Sequence, residues 1–454
     1  MKRPEQIAAL VALSLALVTV SLQAQQSTEG SGNEPAEDSS LAVPVTMNGQ
    51  TGTQAFVSET ILDRYLSGGV SVVGIYSDNA LLSNSGQISN FSYMAQPHLT
   101  WSESTPRLKW NLGMSAGFLE SNHLPNENQG AEGVNLNATW RLTEHASVRL
   151  ADTFSNTTGL FASIPSAEPE SGIGVVQQSN HSLIVPPGQR VLSNQSLAEL
   201  TDQAGLNTVI GVRGTYGLLD YPESSQSTQF GTLYDTRTYS AEAFYNWKFS
   251  AKQWLGVTAR GQRFETLPSL FTTDVGGLLL YYSYTAGPRL TVTLFGGPEY
   301  AGTSQTASAP AEQSGAHGSL WGSSEGATLD WAGARTSASL TFSRQLNDGG
   351  GLAAPVNLQT VSATLRRSLS AYRNEIQLGV SDSTNSPLPQ ASLPAASFRG
   401  LSTSVALQQR LAGGFIVRTG YTWLRQDVPT TGSSSSANNV WFSLAWDFMH
   451  PLGR

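Results

Sequence analysis

Apolar and polar residues alternate along most of the chain from about Ser67 onward. The stretch from Val440 to Phe448 shows this most clearly, because every second residue in it is large and apolar. Successive side chains of a β-strand point to opposite faces, so this stretch predicts a strand with one aromatic and one partly polar face. The same period of two recurs at 108–118, 134–142 and 415–423. The pattern therefore predicts an all-β protein.

Turn-forming residues interrupt these stretches, and short and long interruptions alternate. Short turns are expected near residues 105, 144, 204, 250, 287, 332, 370 and 412, and longer loops near 79–88, 121–131, 157–193, 221–235, 266–275, 301–317, 346–356, 384–397 and 427–437. The intervals predict about 18 strands, with about 16 or about 14 as alternatives. This alternation favours a single transmembrane antiparallel up-and-down β-barrel with short periplasmic turns and long extracellular loops over a soluble sandwich or propeller.

The beginning of the chain predicts export. Lys2 and Arg3 precede an apolar run, and Ala24 lies at a plausible cleavage point, so residues 1–24 are interpreted as a signal peptide. A transmembrane anchor is the alternative, although the run is short of the ~20 residues that span a bilayer. Residues 25–64 are predicted to be a flexible periplasmic leader because they are rich in Gln, Ser, Glu, Gly and Thr. Residues 65–454 are predicted to form the barrel.

The amino-acid composition excludes several classes of function. The 454 residues include no cysteine, which excludes disulfides, thiolate metal sites and a lipid anchor on cysteine. The net charge of −8 argues against a nucleic-acid partner. No cofactor and no metal are predicted, because none of the six histidines belongs to a metal-binding motif.

The sequence contains no complete catalytic motif. Gly322-Ser323-Ser324-Glu325-Gly326 matches G-x-S-x-G, but a nucleophile elbow requires a strand, a sharp turn and a helix, and these residues fall within a predicted strand. His98 is expected to face the lumen alone. A barrel hydrolase that depends on His98 is therefore the least favoured function, and the chain is predicted not to be an enzyme.

When the lipid-facing side of each predicted strand is assigned from its apolar residues alone, most basic residues fall on the side that faces the lumen. The predicted basic cluster of the lumen is Lys109, Arg141, Arg149, Arg213, Arg260, Arg335, Arg366, Arg410 and Arg418. Outward bases are expected only at strand ends, where they reach water or headgroups: Arg237, Arg263, Arg344, Arg367 and Arg425. Asp152 is the exception, because it falls on the apolar face. Inward acids such as Glu242, Glu375 and Asp447 are fewer, so the lumen is expected to attract anions, unless its arginines pair with acids across strands.

The closing strand resembles that of Gram-negative outer-membrane barrels, which ends on an aromatic residue read by the barrel-assembly machinery. On this resemblance, the assembly signal is expected at Phe442, Trp446 and Phe448. The region from Ser67 to Phe448 resembles a porin-like barrel as a whole. Residues 75–80, Ile-Tyr-Ser-Asp-Asn-Ala, are similar to the pattern that ends the first strand in barrel porins found with exopolysaccharide loci, with Ser77 in place of an aspartate. The resemblance implies contact with outer-membrane lipid and a role in the passage of polysaccharide.

These observations predict an integral outer-membrane barrel of a Gram-negative bacterium that forms a water-filled pore for anionic solutes or polysaccharide. Barrels of about 16–18 strands are wide enough for an aqueous channel. The alternative is a structural or surface-interaction barrel with a closed lumen, whose loops bind partners. The loop at 157–193 is expected either to narrow the pore or to extend from the surface.

Overall fold

The structure is a computed structural model that describes residues 64–124, 129–158, 190–222, 233–267, 271–305, 318–347, 349, 355–369, 374–387, 397–428 and 432–451. The predicted signal peptide and all but the last residue of the predicted leader lie outside the described residues. Residues 159–189, which form most of the predicted loop 157–193, also lie outside them.

The described residues form eighteen strands. The first nine are β1 (Arg64–Ser77), β2 (Asn90–Ser104), β3 (Leu108–Ser121), β4 (Gln129–Arg141), β5 (Ala146–Thr158), β6 (Arg190–Gly205), β7 (Thr208–Asp220), β8 (Asp235–Ser250) and β9 (Gln253–Leu267). The second nine are β10 (Phe271–Thr285), β11 (Leu290–Gln305), β12 (Gly318–Ala332), β13 (Thr336–Asn347), β14 (Val356–Ser368), β15 (Asn374–Pro387), β16 (Phe398–Arg410), β17 (Phe415–Val428) and β18 (Ser433–Pro451).

Each strand pairs antiparallel with the next one in the chain, and β1 pairs with β18, so the sheet closes on itself. The predicted single up-and-down barrel of eighteen strands is confirmed, and the alternatives with fewer strands are wrong. Closure satisfies the backbone groups that an open sheet would leave at its edges. Within the described ranges, no helix is long and apolar enough to cross a membrane.

Short connections between strands lie at one end of the barrel, which we call the turn end. The generally longer connections lie at the other end, which we call the loop end.

The prediction of a long loop is wrong at two places. Residues 268–270 alone join β9 to β10, because Thr266 and Phe271 already form a cross-strand pair. Residues 429–432 join β17 to β18, because the serines from Ser433 onward extend β18 beside β17. The pairing of β6 with β7 contains one register shift, between Asp202 and Gly205.

The two faces of the wall differ in exposure. On β1, Val70 and Val72 are exposed, whereas Ser71 and Val73 are buried, because curvature crowds side chains on the inner face. Exposed outward tryptophans lie near the turn end, and they are Trp101, Trp140, Trp247, Trp331 and Trp446. Exposed outward aromatic residues also lie near the loop end, and they include Tyr76, Tyr93, Tyr239, Tyr300 and Trp321. An apolar band between two aromatic girdles is the exterior of a barrel that spans an outer membrane.

Asp152 lies on the outward face of β5, as the sequence pattern predicts. Its carboxylate accepts hydrogen bonds from Ser196 Oγ at 2.7 Å and from Asn194 Nδ2 at 3.2 Å, both on the outward face of β6. A charge on the lipid-facing surface is unfavourable near mid-membrane. These two donors reduce that cost, so the outward polar positions of β5 and β6 act as one hydrogen-bonded group.

Candidate functional site

The lumen wall is the candidate functional site, and its basic residues divide into groups. Register places six of the predicted cluster near the turn end: Lys109, Arg141, Arg149, Arg335, Arg366 and Arg410. We call these six the turn-end basic group. All are exposed except Arg366, which is half-buried. The other three, Arg213, Arg260 and Arg418, are buried within the wall at inward positions.

Arg335 departs from the predicted placement on a lumen-facing strand. The Gly333 N–H donates to the Thr336 carbonyl at 2.7 Å, which closes the turn between β12 and β13 and leaves Arg335 inside that turn. Further bases that strand alternation does not identify lie at the same end: Arg107, Lys248, Lys252 and Arg289. Their position in or beside turns was the available signal, because face assignment by alternation stops where a strand stops. The turn end is therefore richer in basic residues than the alternation alone predicts.

An alternating row of charged residues crosses the lumen wall from β5 to β11. We call it the charged row; its members, in directly opposite register positions or separated by one glycine, are Arg149, Glu199, Arg213, Glu242, Arg260 and Glu299. Three bases face three acids, so the row is electrically balanced. Arg213 and Arg260 belong to it, and their charges are compensated within the wall rather than offered to solute.

Three contacts connect most members of the charged row. Arg213 Nε lies 2.6 Å from Glu199 Oε2, and Arg213 Nη1 lies 3.4 Å from Glu242 Oε2. Arg260 donates to Glu299 across the intervening strand β10, where Gly277 is the residue between them. A Cβ at Gly277 would lie 3.0 Å from Glu299 Cγ, so the glycine leaves the space this pair uses. Sequence alternation identifies these residues as inward but cannot reveal a contact that skips a strand.

Arg418 is buried on the inward face of β17. Its Nε donates to Gln408 Oε1 at 2.8 Å, and Gln408 lies directly opposite on β16. A neutral amide therefore holds this guanidinium in the wall.

His98 has a partner, which corrects the expectation that it faces the lumen alone. His98 Nε2 lies 2.9 Å from Asp447 Oδ1, across β1 at Gly69. No local pattern in the sequence predicts this contact, because His98 and Asp447 lie far apart in the chain. The contact joins β2 to β18 across β1. It therefore spans the seam of the barrel, by which we mean the pairing of the first strand, β1, with the last strand, β18.

The described residues offer little for catalysis. Gly322–Gly326 is extended strand throughout, and Ser324 is fully buried with its Oγ near the Arg344 carbonyl, so the segment lacks the turn that a nucleophile elbow needs. In the described part of the chain, no three His, Asp or Glu side chains come together as metal ligands. The aromatic residues Phe442, Trp446 and Phe448 lie outward and exposed on β18. Their use as an assembly signal stays a prediction.

A closed barrel with an apolar exterior, aromatic girdles and a largely polar inner wall defines a porin-like barrel of the Gram-negative outer membrane. No protein-family model and no curated protein matches the chain. The structure is similar to that of OccAB3 from Acinetobacter baumannii, with 10% identity, a TM-score of 0.43, and coverage of 86% of this chain and 100% of that one. It is similar to OccK2 (OpdF) from Pseudomonas aeruginosa, with 8% identity, a TM-score of 0.44, and coverage of 85% and 98%. It is also similar to the outer membrane protein OpdK from the same species, with 8% identity, a TM-score of 0.42, and coverage of 85% and 99%.

Proposed function

We propose that the protein is an outer-membrane pore that conducts small solutes and favours anionic ones. The observation that carries the proposal is the placement of the turn-end basic group on and beside the lumen wall of a closed eighteen-strand barrel. Barrels of about this strand number enclose an aqueous channel. Outer-membrane lipid would surround the apolar band, and no enzymatic step, cofactor or nucleic acid is part of the proposal.

The charge balance of the wall supports a preference for anions. The charged row contains equal numbers of bases and acids, so most of it contributes no net field. Arg149 belongs to both sets and is already counted in the balanced charged row. The five other bases of the turn-end basic group still outnumber the three inward acids near the turn end, which are Asp330, Glu375 and Asp447. Surplus positive charge on a narrow, low-dielectric passage raises the local concentration of anions. An acidic polysaccharide segment presents the same charge, and its passage is the finer form of the proposal.

Neutralising three exposed bases of the turn-end basic group is expected to lower the anion preference severalfold. The test variant carries Lys109→Gln, Arg141→Gln and Arg410→Gln, which removes charge from β3, β4 and β16 without opening a core. The measurement is the reversal potential of the folded protein in a planar bilayer under a salt gradient. The field of these groups is screened over ~10 Å at 0.1 M salt, so the shift is expected to shrink as salt rises.

The matched control removes the same charge from the exterior, with Arg263→Gln, Arg399→Gln and Arg425→Gln on outward positions. This control is expected to keep the wild-type selectivity. An equal shift in both triple variants would contradict a lumenal origin of the preference. A folded protein that conducts no current would contradict the pore and favour the alternative of a barrel with a closed lumen.

A further inference from the structure

The charged residues of the lumen wall are unevenly distributed along the barrel axis. In the half of each strand that lies nearer the loop end, no described inward position carries a charged side chain outside the charged row. On and beside the turn-end half lie the turn-end basic group, the buried Arg418 and the inward acids Asp330, Glu375 and Asp447. The described wall is therefore charged toward one end of the lumen and neutral toward the other.

The charged row lies between these two halves but contributes little field to the lumen. Its members Glu199, Arg213, Glu242, Arg260 and Glu299 are each no more than 7% exposed. They alternate in sign and pair within the wall, as Arg213 does with Glu199 and Glu242. The fields of opposite charges that lie side by side largely cancel beyond the pair, so an ion in the lumen experiences little of them.

The loop-end half of the wall presents hydroxyl groups to the lumen. Ser343 and Thr360 occupy directly opposite inward positions on β13 and β14, and Ser381 and Ser402 do so on β15 and β16. All four residues are half-buried, so water in the lumen reaches them. Hydroxyl groups carry no net charge and both donate and accept hydrogen bonds, so this surface does not discriminate between cations and anions.

The turn-end half presents charge that solvent reaches. Lys109, Arg141 and Arg410 occupy inward positions and are exposed. Once Arg149 is counted with the charged row, five bases of the turn-end basic group and three inward acids remain at this end, which is a surplus of two positive charges. A potential on the order of RT, which such a surplus produces beside a low-dielectric wall, changes a local ion concentration by a factor of about three.

We propose that the protein is a rectifying pore, in which an anion filter confined to the turn end lies in series with a neutral passage toward the loop end. A pore that selects ions at only one of its mouths passes unequal currents at opposite voltages. The inference deepens the proposed function, on which it rests, because it names the half of the lumen that selects and gives the selection a direction.

The direction of rectification follows from the movement of both ions. When the loop-end compartment is positive, anions move from the turn end into the neutral half, and cations move toward the turn end, where the basic residues repel them. Both ions accumulate in the neutral half, so its conductance rises. At the opposite voltage, cations leave the neutral half and are not replaced through the basic mouth, so its conductance falls. The larger current is therefore expected when the loop-end compartment is positive.

The first test is the current–voltage relation of single channels in a planar bilayer with the same salt on both sides. At about 0.1 M salt, the current is expected to be about twofold larger at one polarity than at the other, because the potential at the turn end is on the order of RT. The ratio is expected to approach unity at about 1 M salt, where charges are screened within ~3 Å. The triple variant of the turn-end basic group is expected to lose the asymmetry, whereas the exterior triple variant keeps it.

Charge added to the neutral half provides a second test with a matched control. The chain contains no cysteine, so Ser343→Cys and Ser402→Cys together introduce its only thiols. A trimethylammonioethyl methanethiosulfonate adds a positive charge to each thiol, and a sulfonatoethyl methanethiosulfonate adds a negative charge in a group of similar size. The positive adduct is expected to bring the current ratio close to unity, and the negative adduct to raise it above the wild-type ratio. Reaction is expected to be faster from the loop-end compartment, which assigns the orientation of each channel.

Failure of this inference and failure of the pore are distinguishable. An anion-selective channel that passes equal currents at both polarities would overturn the inference and leave the proposed function intact. So would a current ratio that neither adduct changes, or a larger current when the loop-end compartment is negative. A folded barrel that conducts no current would contradict the pore, and rectification with it.

Discussion

Replacing Arg260 with alanine is expected to lower the free energy of unfolding by about 3–5 kcal/mol, because it leaves the buried carboxylate of Glu299 without its ion-pair partner. Glu299 is fully buried, and Arg260 is its ion-pair partner across β10. Removing one member of a buried pair leaves the other with its desolvation uncompensated. The measurement is the urea dependence of the folded fraction in lipid vesicles, read from the heat-modifiable gel mobility of the barrel.

Arg263→Ala is the matched control on the same strand. Arg263 pairs with Asp274 at 2.7 Å, but both side chains are exposed on the outward face. Solvent screens such a pair, so no measurable change in unfolding is expected. Equal losses in the two variants would contradict the buried position of the Arg260–Glu299 pair.

A double variant isolates the pair itself. Arg260→Met combined with Glu299→Leu replaces both charges by apolar groups of similar size, and most of the lost stability is expected to return. If the double variant is as unstable as Arg260→Ala, the loss reflects packing of the Arg260 stem rather than an unpaired charge.

Gly69→Ala is expected to weaken closure of the barrel between its first and last strands. A Cβ at Gly69 would lie deep inside the van der Waals radius of the Trp446 carbonyl oxygen and 2.7 Å from Asp447 Oδ1. It would also lie 2.9 Å from His98 Cε1, in the space through which His98 and Asp447 meet. Backbone atoms of β18 cannot yield as a flexible side chain would, so the expected loss is about 3 kcal/mol, at the upper end of ordinary overpacking costs.

Gly261→Ala on β9 is the control for Gly69→Ala. No heavy atom lies within 4 Å of the Cβ that would be added at Gly261. The substitution is expected to be neutral or slightly stabilising, because alanine reduces the conformational freedom of the unfolded chain. The same urea titration applies to both variants, with the fraction of heat-modifiable protein as a second readout. Wild-type behaviour of Gly69→Ala would mean that the seam between β1 and β18 tolerates separation.

Strand number, strand type and the two faces of the wall were predictable from sequence because each depends on local spacing. Apolar residues at every second position indicate which side chains face lipid and which face the lumen. Turn-forming residues indicate where each strand ends. The prediction failed where pairing overrides composition. The serines of Ser433–Ser436 have a loop-like composition, yet they form strand because β17 offers them backbone partners.

The candidate site was only half predictable. The inward direction of Arg213, Arg260 and Arg418 followed from alternation, but their neutralisation by wall partners depends on register between strands. Register also brings His98 to Asp447 and aligns Asn439 with Ser77, pairs whose members are more than three hundred positions apart in the chain. No local pattern encodes such distances.

By itself, the sequence determined the class of the protein: an outer-membrane barrel with a wall of alternating strands, apolar outside and polar inside. It did so because lipid and water impose opposite requirements on successive side chains. The tertiary structure alone decided which inward charges are buried and which of them cancel. Those properties arise from contacts across strands and over glycines, which exist only once the strands have paired in register.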